Sequence, residues 1–191
     1  MKKPVLFLAA LLAAAGVSAQ VVKLQTTEGD IRIQLDAEKA PKTVANFLQY
    51  VKAGHYNGVV FHRVIDGFMI QTGGYDARLA KRDGQVLQPR PTKPPIPLES
   101  HNGLSNIRGS IAMARTGDPN SATAQFFINV ADNIPLDGQP DNPASGYAVF
   151  GQVVEGMDVV DKIRTAPVSA YQVHQHLPVN AIIINKATVE K

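Results

Sequence analysis

Cysteine is absent from all 191 residues, so the chain depends on neither disulfides nor a thiol nucleophile, which is compatible with an oxidising compartment. A strong charge of either sign is missing too. Of the 19 Lys and Arg, two (Lys2 and Lys3) lie in the first residues; the other 17 against 16 acidic residues leave a formal charge near +1. That is not the footprint of a nucleic-acid binder. No Gly-x-Ser-x-Gly elbow, His-Glu-x-x-His pair or glycine-rich phosphate loop occurs, so hydrolysis and nucleotide chemistry lack their usual residues. His174-Gln175-His176 sets two imidazoles close together, but no cysteine or carboxylate cluster accompanies them. They are expected in surface or structural roles, and neither a metal nor another cofactor is expected. Asp66 and Asp76 read as turn formers rather than as paired acids. No internal repeat or linker is visible, and 45% apolar residues in a chain of this length suffice for one good core.

The amino terminus carries an address. Lys2 and Lys3 precede an apolar run from Val5 to Ala15, then Gly16 and the small-residue site Val17-Ser18-Ala19. The run is short of the roughly 20 apolar residues that a spanning helix needs. It reads as a secretory signal (residues 1–19) cleaved between Ala19 and Gln20, leaving one domain over residues 20–191. A bacterial periplasm is the expected destination, with secretion as the alternative, and no membrane attachment is expected after cleavage.

Val21 to Leu35 alternates apolar and polar residues on both sides of Glu28-Gly29-Asp30, the pattern of an antiparallel hairpin. Pro41 as a first helical residue, Val44, Phe47, Leu48 and Val51 at helical spacing, and Gly54 as a stop mark an amphipathic helix. Strands are expected at Val59–Ile65, Phe68–Thr72, Ser110–Ala114, Phe126–Val130, Tyr147–Val153 and Val179–Val189, with a short helix at Met157–Arg164. Many short strands with only two helices suggest an all-β-dominated chain closed into an antiparallel barrel, which removes exposed sheet edges. Gly74 to Ser100, with Lys81, Arg82, Arg90, Lys93 and five prolines, reads as an extended loop, either a solvated connector or a basic lip beside a groove. Gln139 to Gly146 reads as a second, purely connecting loop.

The most informative stretch is Phe61 to Gly73. Alternation sends Phe61, Arg63 and Ile65 to one face of a strand and His62 to the other; a turn at Gly67 then starts a second strand with Phe68, Met69, Ile70 and Gln71. A cation and an amide therefore stand among large apolar side chains. Gln125-Phe126-Phe127 repeats the combination of an amide beside paired aromatics.

These segments, with Ser110-Ile111-Ala112-Met113-Ala114, Leu136-Asp137-Gly138 and Val149-Phe150-Gly151, resemble in order and kind the cyclophilin-type peptidyl-prolyl cis-trans isomerases, from about Val21 to about Glu190. The resemblance implies a closed eight-stranded barrel with a helix over each open end. It implies as well that Arg63 and Gln71 carry catalysis, that Phe68, Met69, Phe127 and Leu136 line a pocket for the proline ring, and that Ala114 and Gln125 form the wall and floor of a peptide groove. The backbone of Arg115 falls where the family pairs with the substrate main chain, Tyr147 at the groove edge, and His62 in a supporting position behind Arg63. The partners would be proline-containing unfolded or partly folded polypeptides, met by a monomer. Two positions depart from the familiar eukaryotic pattern: Pro135 stands where many relatives carry Trp, and Tyr147 where many carry His. Weak cyclosporin binding is therefore expected. Two other readings compete with the isomerase: a non-catalytic barrel that holds proline-containing segments as a chaperone or adaptor, and a carrier of a small apolar ligand, which would need an empty barrel.

Overall fold

A computed structural model of the chain describes residues 20–77, 89–171 and 173–190. The expected signal segment and the basic residues Lys81 and Arg82 lie outside the described residues. The first hairpin forms as its alternation predicts, from β1 (Val21–Thr26) and β2 (Gly29–Leu35), with Val22, Leu24, Ile31 and Ile33 fully buried. Helix α1 (Pro41–Lys52) follows, and its first turn is capped from a distance. Ala40 has no side-chain acceptor to offer, and the Glu99 carboxylate instead accepts the Lys42 and Thr43 N–H groups at 3.2 and 2.8 Å. An anion on otherwise unpaired donors at a helix start contributes about 1 kcal/mol. Gly54, at φ +69°, ends the helix where an L side chain would be strained.

The next strands are β3 (Val59–Val60), β4 (Arg63–Ile65), β5 (Met69–Thr72), β6 (Ser110–Met113), β7 (Phe126–Asn129) and β8 (Val149–Glu155); helix α2 (Met157–Arg164), β9 (Val168–Tyr171), β10 (His174–Pro178) and β11 (Ile183–Glu190) complete the order. Nine strands make one strongly curled antiparallel sheet in the order β3-β11-β1-β2-β8-β6-β7-β5-β4. The expected count of eight is thus corrected to nine, because the predicted strand Val59–Ile65 breaks at Phe61-His62. Its halves lie at opposite edges of the sheet, so the continuous chain joins the edges. Phe61 N–H donates to the Ile182 carbonyl on one side and His62 N–H to the Gln71 carbonyl on the other, at 2.9 and 3.1 Å.

That break also corrects the expected facing. Phe61 turns into the barrel core and is fully buried, while Arg63 and Ile65 stay on the outer face; His62 is buried beside Tyr75 and His174. Alternation holds only where both residues keep strand geometry. The last predicted strand begins late, at Ile183, and an unpredicted two-stranded ribbon of β9 and β10 precedes it.

The barrel interior is filled. Phe47 of α1 stacks with Tyr56, Phe126 and Phe150, each 5.2 Å away between ring centres, above Ile31, Ile33, Ile70, Ile111 and Ile128. Burying one such side chain contributes about 1.5–3 kcal/mol, and a packed interior removes the room a small-ligand carrier would need. A second, smaller apolar cluster of Met69, Ala112, Phe127 and Val149 lies on the outer face of the same strands, which is why β6 and β7 are buried on both faces. Arg90 is drawn into the fold: it pairs with Asp76 at 2.7 Å and donates to the His55 carbonyl. Neither residue therefore has its expected place, Arg90 in a solvated connector or on a basic lip, or Asp76 in a simple turn.

Candidate active site

Cross-strand register brings the site together. Arg63 pairs with Gln71 across the β4–β5 hairpin, Gln71 with Phe127 of β7, and Phe127 with Ala112 of β6. Directly paired residues face the same side of a sheet, so these four form a row across the outer face of the barrel. Gly67, at φ +70°, makes the tight turn of the hairpin, and Asp66 accepts its N–H at 2.8 Å while pairing with Arg164 of α2.

Arg63 is exposed, yet it does not stray into solvent. Its Nη1 donates to Gln71 Oε1 at 3.4 Å and approaches Met69 Sδ at 3.9 Å, and its guanidinium carbon lies 5.9 Å from the centre of the Phe68 ring. Gln71 is held in turn, since its Nε2 donates to Gln125 Oε1 at 3.0 Å. This leaves the Gln71 carboxamide oxygen turned toward Arg63. Gly74 makes room for the arrangement, because a Cβ there would lie 2.7 Å from the Gln125 side chain.

Beside the guanidinium is a cavity of about 100 Å³. Phe68, Met69, Phe127 and Leu136 supply its apolar surface, Arg63 and Gln71 one rim, and Ala114, Arg115 and Tyr147 the other. Nine of the expected site residues thus converge. Gln125 and His62 do not line the cavity; Gln125 stands one step behind, bonded to Gln71, and His62 lies beyond Arg63. A larger open cleft of about 470 Å³ runs along Gln34, Asp36, Glu38 and Gln152, but no Lys or Arg stands among its described lining residues. The chemistry gathers at the smaller one.

Arg115 does more than its expected backbone role. Its guanidinium stacks 4.9 Å from the Tyr147 ring centre, and its Nε donates to the Gly146 carbonyl at 2.9 Å. Tyr147 meets Phe127 edge to face at 5.6 Å. The loop before Tyr147, expected only to connect, is therefore pinned to the cleft. Leu136 is fixed from below by a polar network that sequence reasoning missed. Fully buried Asn106 donates from Nδ2 to Asp137 Oδ1 at 2.8 Å and to the Leu136 carbonyl at 3.2 Å, and Asn133 donates to the Phe68 carbonyl at 2.8 Å. One signal was present: Asn129 interrupts the apolar run Phe126-Phe127-Ile128, and a buried amide demands partners. It accepts from Asn133 at 2.7 Å.

His62 is kept neutral, its pKa lowered to about 3. Burial is the main cause, followed by the neighbouring His174; the Val60 carbonyl opposes this, the Arg63 charge adds to it, and Gln125 opposes it weakly. A proton-transfer role near neutral pH is thus closed to it.

A curled barrel whose outer face sets an oriented guanidinium beside a small apolar pocket is an arrangement suited to a proline-peptide site of the isomerase kind. Residues 21–189 match the family model for cyclophilin type peptidyl-prolyl cis-trans isomerase/CLD. The chain is 47% identical over 178 residues to peptidyl-prolyl cis-trans isomerase A of Dickeya dadantii, covering 93% of this chain and 88% of that one. It is also 47% identical over 172 residues to peptidyl-prolyl cis-trans isomerase B of Escherichia coli, covering 90% of this chain and all of that one. Its fold matches a Cryptosporidium parvum cyclophilin type peptidyl-prolyl cis-trans isomerase, solved in the presence of the dipeptide Ala-Pro, with a TM-score of 0.71 and 25% identity over 90% of this chain and 99% of that one. The chain belongs to the cyclophilin-type peptidyl-prolyl cis-trans isomerase family, and its enzyme class is that of the family.

Proposed function

We propose that this isomerase turns Xaa-Pro bonds in exported polypeptides as they fold, and that Arg63 is the group that lowers the barrier. Rotation about the bond faces about 18–20 kcal/mol because the C–N link has partial double-bond character. When the imide nitrogen becomes pyramidal, its lone pair leaves conjugation and becomes an acceptor. A guanidinium is always charged and holds its donors in a rigid plane, so it can meet that lone pair without reorganising. The interaction strengthens as resonance is lost, and it therefore favours the twisted state over both ground states. An acceleration of about 10⁵ asks about 7 kcal/mol of the whole site. Phe68, Met69, Phe127 and Leu136 would grip the pyrrolidine ring, and Gln71 would hold the backbone around the turning bond while keeping Arg63 in place.

The single observation that carries this reading is the guanidinium of Arg63, oriented by Gln71 at the rim of the apolar cavity. The export half, a periplasmic destination, is supported by the Lys2-Lys3 flank, the apolar run and the Ala19 site; the reading takes the protein as a monomer, and the near-neutral charge of residues 20–191 speaks against a nucleic-acid partner. Two measurements test the halves separately. Exchange NMR on an Ala-Pro peptide should show cis/trans cross-peaks at catalytic protein concentrations; peptide binding without them would leave only a holding module. The full chain made in a Gram-negative host should appear in the osmotic-shock fraction with Gln20 at its amino terminus. Retention in the cytoplasm with residues 1–19 attached would overturn the export reading.

A further inference from the structure

On the far side of Arg63 from the proline pocket lies another cavity, of about 260 Å³, lined by His62, Arg63, Val173, His174, Gln175 and His176. The ribbon of β9 and β10 builds it by packing β10 against β4. Three rings meeting edge to face hold the ribbon there, with centre-to-centre distances of 4.7 Å for His62–Tyr75, 4.8 Å for Tyr75–His174 and 5.8 Å for His62–His174. The two cavities share Arg63, so they are neighbours along one surface. An extended chain advances about 3.3 Å per residue, and a polypeptide whose proline sits in the first would present a side chain to the second within one or two residues.

The lining says what that side chain should be. His62 is only 3% exposed, and its Nδ1 has no hydrogen-bond partner among the described residues. That atom is closed off from solvent as it stands, and a partner reached by a turn of the ring would recover the cost of leaving it unpaired. Arg63 brings a permanent positive charge, and only its Nη1 has partners among the described contacts, which leaves donors on the rest of the fork. Gln175 and His176 are exposed and polar, none of the described lining residues is acidic, and Val173, 84% exposed, offers an apolar edge for an aliphatic stem.

We propose that this second cavity is a subsite for an acidic side chain, Asp or Glu, carried one or two residues from the proline on the flank that leaves the cleft past Arg63. The carboxylate would accept from His62 and Arg63, with the β10 residues closing around it. The proposal rests on the isomerase reading of the cleft and adds a sequence preference to it.

The test is exchange NMR at subsaturating peptide, using Ala-Pro peptides of one length with Ala, Glu or Lys placed in turn at the two positions on either side of the Ala-Pro pair. Wild-type protein should turn over the Glu peptide about tenfold faster than the Lys peptide on one flank only, the size of a single charge-assisted hydrogen bond. The Glu-to-Lys ratio should fall toward one in His62→Phe, which removes the imidazole donor, and in His174→Ala, which removes the ring that holds β10 beside it. Because His174→Ala also removes a ring contact, a second measurement uses wild type alone: the imidazole NMR signals of His62 and His174 should shift on titration with the Glu peptide and not with the Lys peptide. Equal rates for Glu and Lys at every position, with the Ala peptide still turned over, would overturn the subsite and leave the isomerase reading intact. A preference that survives both variants would also overturn it. Failure to turn over the Ala peptide would instead sink the isomerase reading, and the imidazole titration would then decide the subsite alone.

Discussion

Arg63→Lys separates the shape of the donor from its charge. An ammonium keeps the positive charge, but it loses the plane that presents two N–H groups side by side. In this site the plane is held by a chain of contacts: Gln125 to Gln71 at 3.0 Å, Gln71 to Arg63 at 3.4 Å, and the guanidinium near Met69 and Phe68 at 3.9 and 5.9 Å. A lysine's three N–H groups radiate from a single atom and cannot reproduce the fixed planar spacing that lets the guanidinium serve Gln71 and the imide nitrogen together, and its flexible stem must be ordered afresh in the transition state. Removing one preorganised donor of this kind costs about 2.7–4 kcal/mol, or about 10²–10³ in rate. Arg63→Ala should lose that much and Arg63→Lys most of it. Stability should barely change in either variant, because Arg63 is exposed and its contact with Phe68 is worth about 0.5–1 kcal/mol. The assay is exchange NMR on an Ala-Pro peptide, with the folded fraction of each variant measured beside it. Adding Gln71→Ala to Arg63→Ala should cost little more than Arg63→Ala alone if Gln71 acts chiefly through the guanidinium. Wild-type turnover by either Arg63 variant, or losses that only follow unfolding, would refute the mechanism.

Asn106→Ala should loosen the floor of the small apolar cavity by leaving Asp137 Oδ1 and the Leu136 carbonyl each one donor short. Thermal unfolding should report a loss of about 2–3 kcal/mol, or roughly 5–10 °C in Tm, and an unchanged Tm would show that the network contributes little. Arg115→Ala should free Tyr147 and the Gly146 carbonyl, weakening peptide binding about 3- to 10-fold with little change in the saturated rate, as a lost stack and hydrogen bond would. A fall confined to the saturated rate would contradict a positioning role. His62 binds its proton far less readily folded than unfolded, so between about pH 6.5 and 3 the unfolded state holds the extra proton. Stability should be full above about pH 6.5 and decline as pH falls, by up to about 1.4 kcal/mol per pH unit, with His55 and His174 acting in the same direction. Urea unfolding at several pH values should show a shallower acid limb in His62→Asn, and an identical limb would remove His62 from the account. Turnover itself should stay nearly flat from about pH 6 to 8, because a guanidinium keeps its proton there.

Local chemistry made much of the fold legible in the sequence. Pro41, the spacing of Val44, Phe47, Leu48 and Val51, and Gly54 specify α1 through effects that act within a turn or two of chain, and α1 forms over Pro41–Lys52. The first hairpin follows from strict alternation around a glycine turn. Arg63, Gln71 and the aromatic pair could be singled out because cations and amides seldom stand among large apolar residues without a purpose. Where a residue's position depended on distant parts of the chain, the same reasoning failed. Phe61 breaks the alternation because the barrel core claims it, and the ribbon of β9 and β10 carries too few apolar residues to announce itself.

Residue types and short-range periodicity therefore determined most of the helices and strands and drew attention to Arg63, Gln71 and the aromatic pair, since both depend on neighbours along the chain, while the roles expected of those side chains came from the family resemblance. Only the tertiary structure decided that Arg63, Gln71 and Phe127 stand in one row, that Asn106 supports Leu136 and that Arg115 holds Tyr147. Those relations arise from strand register and barrel curvature, which bring residues tens of positions apart to within hydrogen-bonding distance and leave no trace in local pattern.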